Sequence, residues 1–288
     1  MISPLQVFGE PTKSDGGSHI VTRNGGRCEQ HPFLKRLASL TGLPREALSK
    51  IAALEVERET LRAHTRIALQ DTPCDDLHIL LDGWAGRYTL LSDGRRQITT
   101  VLLPGEVCDV GLLYLGRCSQ SVTTLTECTV ARIACSPLRA LLMQQSSIAS
   151  AFAKLLAIEN AALGARIASL GRRSARERVA HLLCDLFTRL QAIERADARG
   201  YHLPLTQEEI ADVLGLTAVH VNRVLKALRG ERLIERRGHQ IIISDPEQLR
   251  RAASFRPIYP YLATSRCAAA PSHDDLLQTD GVKTFERE

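Results

Sequence analysis

Apolar positions change their spacing three times along the chain. In HPFLKRLASL, about 31 to 40, and PREALSKIAAL, about 44 to 54, they recur at helical intervals and predict two short helices. From about 55 to 135 the interval shortens toward two, in the runs LHILLDG, WAGRYTLLSDG, RRQITTVLLPGE, SVTTLTE and TVARIA. Asp82-Gly83 and Asp93-Gly94 punctuate these runs and predict hairpins, because a two-residue turn needs positive φ that Gly and Asp tolerate. Short antiparallel strands at regular spacing predict a small barrel or sandwich.

After Ser136-Pro137 the pattern is helical to about 195. Within it Ala153, Asn160 and Ile167 stand seven apart, as do Leu156, Leu163 and Leu170. In heptad terms these are a and d positions, and leucine at every d with one asparagine at a suits a parallel two-stranded seam. The alternative is a helix lying on its own domain, since three heptads make a short seam. The helix should break at Gly171-Arg172-Arg173. Ser174 and Glu177 then have capping-box spacing and open the next helix, ARERVAHLLCDLFTRLQAI, which places a hinge here.

The segment LTQEEIADVLGLTAVHVNRVLKALRGERLI holds two helices and a tight turn. Thr206 and Glu209 form a second capping box, Gly215 occupies the turn, and Thr217 caps the following helix. Small Ala211 where the helices cross, Gly215 four residues later and Val221 six after that match the helix-turn-helix template. LIERRGHQIII then predicts a hairpin around Arg237-Gly238, and Asp245-Pro246 opens a terminal helix, which completes a winged helix-turn-helix. If Val221, Val224, Leu225 and Leu228 are core, Val219 shares the outer face with Asn222, Arg223 and Lys226.

Composition adds limits. A hydrophobic fraction of 44% over 288 residues supports a real core and room for two domains. No uninterrupted apolar run reaches the ~20 residues that span a bilayer, and the N-terminus lacks a charged region followed by an apolar one. A cytoplasmic protein with no membrane partner is therefore expected. Residues 1–27 and 256–288 are polar and aperiodic and are expected to be disordered tails. The eight cysteines, at 28, 74, 108, 118, 128, 135, 184 and 267, include no CxxC, so reduced core thiols are expected, with a redox-responsive thiol or, behind it, a metal ligand as the alternatives. Net charge is only +5, but it is unevenly spread. Residues 206–215 carry Glu208, Glu209 and Asp212 and no base, whereas 216–240 carry Arg223, Lys226, Arg229, Arg232, Arg236 and Arg237 against Glu231 and Glu235. A basic edge of this kind suits phosphate.

On these motifs, in this order, the chain resembles the Crp/Fnr family of bacterial transcription regulators over roughly residues 31 to 250. The resemblance implies an α+β chain: a jelly-roll-like antiparallel β-roll sensor domain at 28–145, a long dimerisation helix at 146–171 and a winged helix-turn-helix DNA-binding domain at 172–255. It further implies a homodimer on a pseudo-palindromic site in double-stranded DNA, acting on RNA polymerase. Arg223 can donate two parallel hydrogen bonds to guanine O6 and N7, and in the family an arginine here does so. Asn222 can meet adenine or phosphate, and His220 a base or only phosphate. Thr206, Thr217, Lys226, Arg229, Arg236 and Arg237 are expected to hold the backbone. Many relatives place glutamate where this chain has Val219; valine can cover a thymine methyl instead, or merely pack on its neighbour.

The family's sensor chemistries each make a demand. Cyclic-nucleotide binding needs a Gly-Glu pair after the PGE turn and an Arg-Ser pair beyond it, but this chain has Cys108-Asp109, then Cys118-Ser119 or Gln120-Ser121, with Arg117 out of step. Cys108, Asp109, Arg117, Cys118 and Ser119 are therefore candidate effector-pocket residues without a cAMP response. An iron-sulfur cluster needs closely spaced N-terminal thiolates and finds only Cys28. Haem would need an axial ligand, for which His64, His78, Cys74 and Cys108 qualify by type alone. No cofactor or metal is predicted. The readings left open are an unidentified ligand or thiol switch, or no ligand. An enzyme with an accessory DNA-binding domain is a rival class, but no nucleophile, base and orienting group are recognisable around the cysteines.

Overall fold

The computed structural model describes residues 31–257. The expected tail at 1–27, nearly all of that at 256–288, and with them Cys28 and Cys267, lie outside the described residues. Helix α1 (Pro32–Thr41) starts with Pro32, whose missing N–H costs nothing in a first turn, and buries Phe33, Leu34, Leu37 and Leu40. Helix α2 (Arg45–Ala52) buries Ala47, Leu48 and Ile51 at the same spacing.

Seven strands follow: β1 (Glu55–Leu61), β2 (Arg66–Ala68), β3 (Asp76–Asp82), β4 (Ala85–Leu90), β5 (Arg96–Leu102), and, after the short helix α3 (Leu112–Leu115), β6 (Ser121–Thr124) and β7 (Cys128–Ala134). They form two antiparallel sheets, ordered β1-β7-β3 and β2-β6-β4-β5. Leu61, Leu80 and Val130 from the first sheet meet Ala85, Leu102 and Val122 from the second in one buried cluster, so the sheets face each other as a sandwich. Asp93-Gly94 does join a paired hairpin, β4 to β5. Asp82-Gly83 does not: β3 pairs with β7 and β4 with β5 and β6, so this turn carries the chain from one sheet to the other. Its local signal was that of a turn, and only long-range pairing decides whether a turn is a hairpin. Gly83 sits at φ 85, and a Cβ there would come within 2.2 Å of the Glu127 carbonyl oxygen.

Helices α4 (Cys135–Gln144) and α5 (Ser146–Arg172) lead away from the sandwich, and α6 (Ala175–Ala192) begins at Ser174 in a complete capping box with Glu177. Then come β8 (Gly200–His202), α7 (Gln207–Leu214), α8 (Ala218–Gly230), the hairpin β9 (Ile234–Arg237) and β10 (Gln240–Ile243), and α9 (Pro246–Ala252), capped by Asp245. The wing sheet has the order β8-β10-β9; its first strand, too short to show a period, was not foreseen. Among the described residues α5 is the one helix long and apolar enough to cross a membrane. Its polar residues instead reach the sensor strands: Glu159 meets Arg87 of β4, and Arg166 Nη1 donates to Thr100 Oγ1 of β5 at 3.1 Å.

The C-terminal domain packs on the outer face of the second sheet. Trp84, Ile98, Val101, Leu103 and Leu125 share one buried cluster with α6, α7, α8 and the wing. Polar contacts fix this junction. Arg96 pairs with Asp212 at 2.7 Å, and Gln97 Nε2 donates to the Asp212 and Val213 carbonyls at 2.6 and 3.1 Å. Glu106, buried, takes Arg36 of α1 at 2.9 Å and Arg189 of α6 at 2.7 Å.

Candidate nucleic-acid interface

Helix α7 begins where the Thr206 Oγ1 accepts from the Glu209 N–H at 3.1 Å while the Glu209 carboxylate accepts from the Thr206 N–H at 2.8 Å. This reciprocal cap satisfies two orphan amides and contributes about 1 kcal/mol. The helix stops at Gly215, whose φ of 61 puts it in the left-handed region, and whose N–H caps the Ala211 carbonyl. Thr217 then accepts from the His220 N–H at 3.2 Å and starts α8. The turn is too short for α8 to do anything but cross α7 closely, and Ala211 at the crossing is buried.

Helix α8 buries Val221, Val224, Leu225 and Leu228, each contributing about 1.5–3 kcal/mol relative to exposure, and this stripe fixes its rotation. The opposite face is thereby turned outward. Val219 is 71% exposed, so it is not a packing contact of the domain. Arg223, Lys226 and Arg229 are exposed beside it and make no ion pair among the described residues. Thr206 and Thr217 are exposed at the two helix starts, and His220 is half-buried. Asn222 is half-buried and its Nδ2 donates to Gln207 Oε1 at 3.1 Å. That bond ties the first turn of α7 to α8 and leaves the carbonyl oxygen of the amide for another partner. Gln207 was not foreseen; its place directly after the capping threonine was the available signal. In the wing, Arg236 Nε donates to the Gly238 carbonyl at 2.9 Å and exposed Arg237 pairs with Glu235 at 3.1 Å, so the hairpin holds both guanidinium groups at its tip.

Along α5, Ala153, Asn160 and Ile167 are exposed, Ile167 at 70%. Leu156, Leu163 and Leu170 are half-buried. Leu156 packs on the sensor core, and Leu163 and Leu170 line a cleft between the sensor, α5 and the C-terminal domain. The d leucines therefore serve their own domain on one side, while the a positions are left outward.

The effector-pocket candidates are partly brought together. Asp109 is buried and its Oδ2 accepts from both the N–H and the hydroxyl of Ser119, at 2.7 and 2.8 Å. Cys108 and Cys118 are buried on either side of this pair, and burial pushes the Cys108 thiol up to about 12. Arg117 is exposed and stands apart. The residues missed are Arg87 and Glu159. Arg87, 5% exposed, donates from Nε to the Cys108 carbonyl at 2.8 Å and from Nη2 to Glu159 at 3.3 Å. Its inward position could have been read from the alternation in WAGRY, where it shares a face with Ala85. Burial lifts the Glu159 carboxyl above its usual range against the pull of Arg87. Of the haem-ligand candidates, His64 is exposed in a turn at φ 61, Cys74 and His78 are half-buried, and Cys108 is 2% exposed. Among the described residues no group of three His, Cys, Asp or Glu could hold a metal ion.

Residues 177–252 match the Crp-like helix-turn-helix domain family, and residues 58–145 match the cyclic nucleotide-binding domain family. The transcriptional activatory protein AadR of Rhodopseudomonas palustris is 30% identical over 233 residues, which is 79% of this chain and 93% of that protein. The transcriptional activator protein FnrL of Cereibacter sphaeroides is 28% identical, over 76% of this chain and 88% of its own length. Among solved structures, FixK2 from Bradyrhizobium japonicum superimposes with a TM-score of 0.62 at 28% identity, covering 69% of this chain and 96% of FixK2.

Proposed function

The chain belongs to the Crp/Fnr family of transcription regulators with a helix-turn-helix DNA-binding domain, and on that premise we propose that it binds a pseudo-palindromic operator as a homodimer. Each copy lays α8 in one of two successive major grooves, about one helical turn apart. The observation that carries this reading is the outer face of α8: a folded, rotationally fixed helix with Arg223, Lys226 and Arg229 exposed and uncompensated by any ion pair among the described residues. Arg223 reads a guanine, Val219 lies against a thymine methyl, and Lys226, Arg229, Arg236, Arg237 and the starts of α7 and α8 hold phosphates. Asn222 is first a positioning residue, through Gln207. The two α5 helices meet along Ala153, Asn160 and Ile167, with Leu156, Leu163 and Leu170 at the margin.

The protein works in the cytoplasm, off the membrane, and acts on RNA polymerase without being an enzyme. The residues in the sensor do not fit a cyclic nucleotide. Its phosphate would need the donors of Ser119 and a cation, but Asp109 already accepts both Ser119 donors and Glu159 meets the buried Arg87. Placing a second anion beside Asp109 would leave charge buried without a partner. Control is therefore by another input, or by expression level.

A gel-shift series with genomic promoter fragments tests the reading. Saturable binding of a subset of fragments by the dimer is expected at low salt. Equal weak binding to every fragment, with the dimer verified by sedimentation, would overturn it.

A further inference from the structure

A short stretch of strand pairing brings two thiols of the sensor side by side, away from the DNA face. Pro73 and Arg117 form an isolated antiparallel bridge, beside which the Cys118 N–H donates to the Thr72 carbonyl at 3.0 Å and the Asp71 N–H to the Cys118 carbonyl at 2.9 Å. Residues two apart on an extended segment share a face. Cys74 therefore shares the face of Thr72, and Cys118, opposite Thr72, lies diagonally across from Cys74. The side chains lie close enough that the Thr72 hydroxyl and the Cys74 thiol both perturb the Cys118 thiol, while the Cys74 Sγ donates to the Asp76 carbonyl at 3.2 Å. Diagonal neighbours lie about 7–8 Å apart, beyond the Cα separation of about 4.4–6.8 Å that a disulfide accepts, so closure draws the two loops together.

Access distinguishes Cys74 from its fellows, its neighbour Cys118 at 2% exposure included. Cys74 is half-exposed, whereas Cys108 and Cys128, also near one another, are 2% and 1% exposed inside the sandwich. We infer that Cys74 and Cys118 form a reversible dithiol–disulfide site in the sensor domain, oxidised by a peroxide. The Cys74 thiolate attacks one peroxide oxygen, the O–O bond breaks, and the leaving hydroxide takes the thiol proton as water, giving a sulfenic acid. The Cys118 thiolate then attacks the Cys74 sulfur and expels hydroxide, which takes the Cys118 proton as a second water. Two electrons pass from the sulfurs to the peroxide. Burial beside Cys74, with Asp109 nearby, pushes the Cys118 thiol up to about 11, against the Thr72 hydroxyl, so the second step is slow at neutral pH and quickens as pH rises.

The neighbours of Cys118 give the site a route to the rest of the protein. Ser119 holds Asp109, and Gln120 accepts from Thr99 Oγ1 at 2.9 Å on β5, the strand whose Arg96 and Gln97 grip α7. An effect on DNA affinity rests on the DNA-binding reading above; the chemistry of the thiols does not.

The full chain treated with hydrogen peroxide and then N-ethylmaleimide is expected to lose two hydrogens and two alkylation sites, with a tryptic peptide linking Cys74 to Cys118 that dithiothreitol releases. Cys74→Ser removes the link, and Cys118→Ser leaves a sulfenic acid on Cys74 that dimedone traps; Cys74→Ser, at the more exposed position, serves if the other variant fails to fold. Full alkylation of both cysteines after oxidation, or a link from Cys74 to any other cysteine, would sink the site. On the same samples, oxidation is expected to change promoter affinity by about fivefold or more in the native protein and not in Cys74→Ser. An unchanged affinity with the link formed overturns its role as an input. If the reduced protein selects no promoter fragment, the DNA-binding reading fails while the mass result stands.

Discussion

The arginines where the sensor meets α5 and α6 and those on α8 differ less in number than in what surrounds them. Arg36, Arg87 and Arg189 have side chains 10%, 6% and 6% exposed, each against a carboxylate from another element: Glu106 for the first and third, Glu159 for the second. Arg223 and Arg229 stand in solvent with no carboxylate beside them. Folding has consumed the first set. Only the second is left to release counterions from a phosphate backbone, and for that reason the modest net charge of +5 says little about nucleic-acid binding.

The comparison breaks most directly at Glu106. Replacing it with alanine takes a shared carboxylate from two buried guanidinium groups, of which Arg189 keeps Asp185 at 3.1 Å, and removing one partner of a buried pair costs about 3–5 kcal/mol. Glu106→Ala is expected to lower the guanidinium chloride midpoint accordingly, with the slope unchanged. The same group sets an acid limit. Burial pushes its carboxyl up, but Arg189 and Arg36 together with the Leu103 N–H hold it below the usual range. Its contribution is therefore complete above the unfolded value of about 4.3 and is lost as pH falls through the lower folded value. An unchanged midpoint in the variant would mean that these arginines are no more committed than those of α8.

On α8 the expected effects are smaller and concern DNA alone. Arg223→Ala should cost about 1–3 kcal/mol at one guanine and little at other positions. Lys226→Ala should weaken all sequences alike and reduce the salt slope by about one. Binding titrations over a set of single-base operator variants at several salt concentrations separate the two. Uniform losses from both would reassign Arg223 to the backbone.

What was legible beforehand follows the same division. The winged domain could be read because its signals are local: two capping boxes, a turn glycine and a 3.6-residue apolar stripe each act within one helix or the next turn. In the sensor, sequence-local signals stopped at the strands. The Asp82-Gly83 turn looks like Asp93-Gly94 and differs only in which strands pair beyond it. Arg87 and Glu159 lie 72 residues apart, and no spacing announces a pair that tertiary packing makes. Cys74 and Cys118 were dispersed by the same criterion, though one bridge between loops brings them together.

His181 lies between the two regions, in the cleft beside α5, and tests the comparison with pH. Burial, helped by Arg173 and Arg166, pushes it down to about 4, although Asp185 pulls the other way. The folded protein keeps the ring neutral where the unfolded chain takes up a proton at about 6.5. Stability should therefore fall as pH drops from about 6.5 toward 4, and His181→Gln should flatten that part of the profile. The ring is partly exposed, so the effect is expected to be smaller than that of Glu106. A profile unaltered by the variant would place the titration elsewhere.

The smallest effect belongs to Val219, the one large apolar residue that α8 exposes among basic neighbours. At 71% exposure its side chain contributes almost nothing to the fold, so a change there should leave stability within about 0.5 kcal/mol. Against a thymine methyl it contributes about 1 kcal/mol, on the scale of a buried methylene. Val219→Ala should therefore lose a few-fold in affinity at one A·T pair, and Val219→Glu should do more than lose it. A carboxylate here can accept from a cytosine amine and is repelled by nearby phosphates, so it should move the preferred pair at that position while lowering affinity for every sequence. The two parts separate in one experiment: the uniform loss shrinks with added salt, and the change of preferred base does not. If preference stays put, Val219 does not face a base edge, and α8 meets the groove through Arg223 and its basic neighbours without the apolar contact.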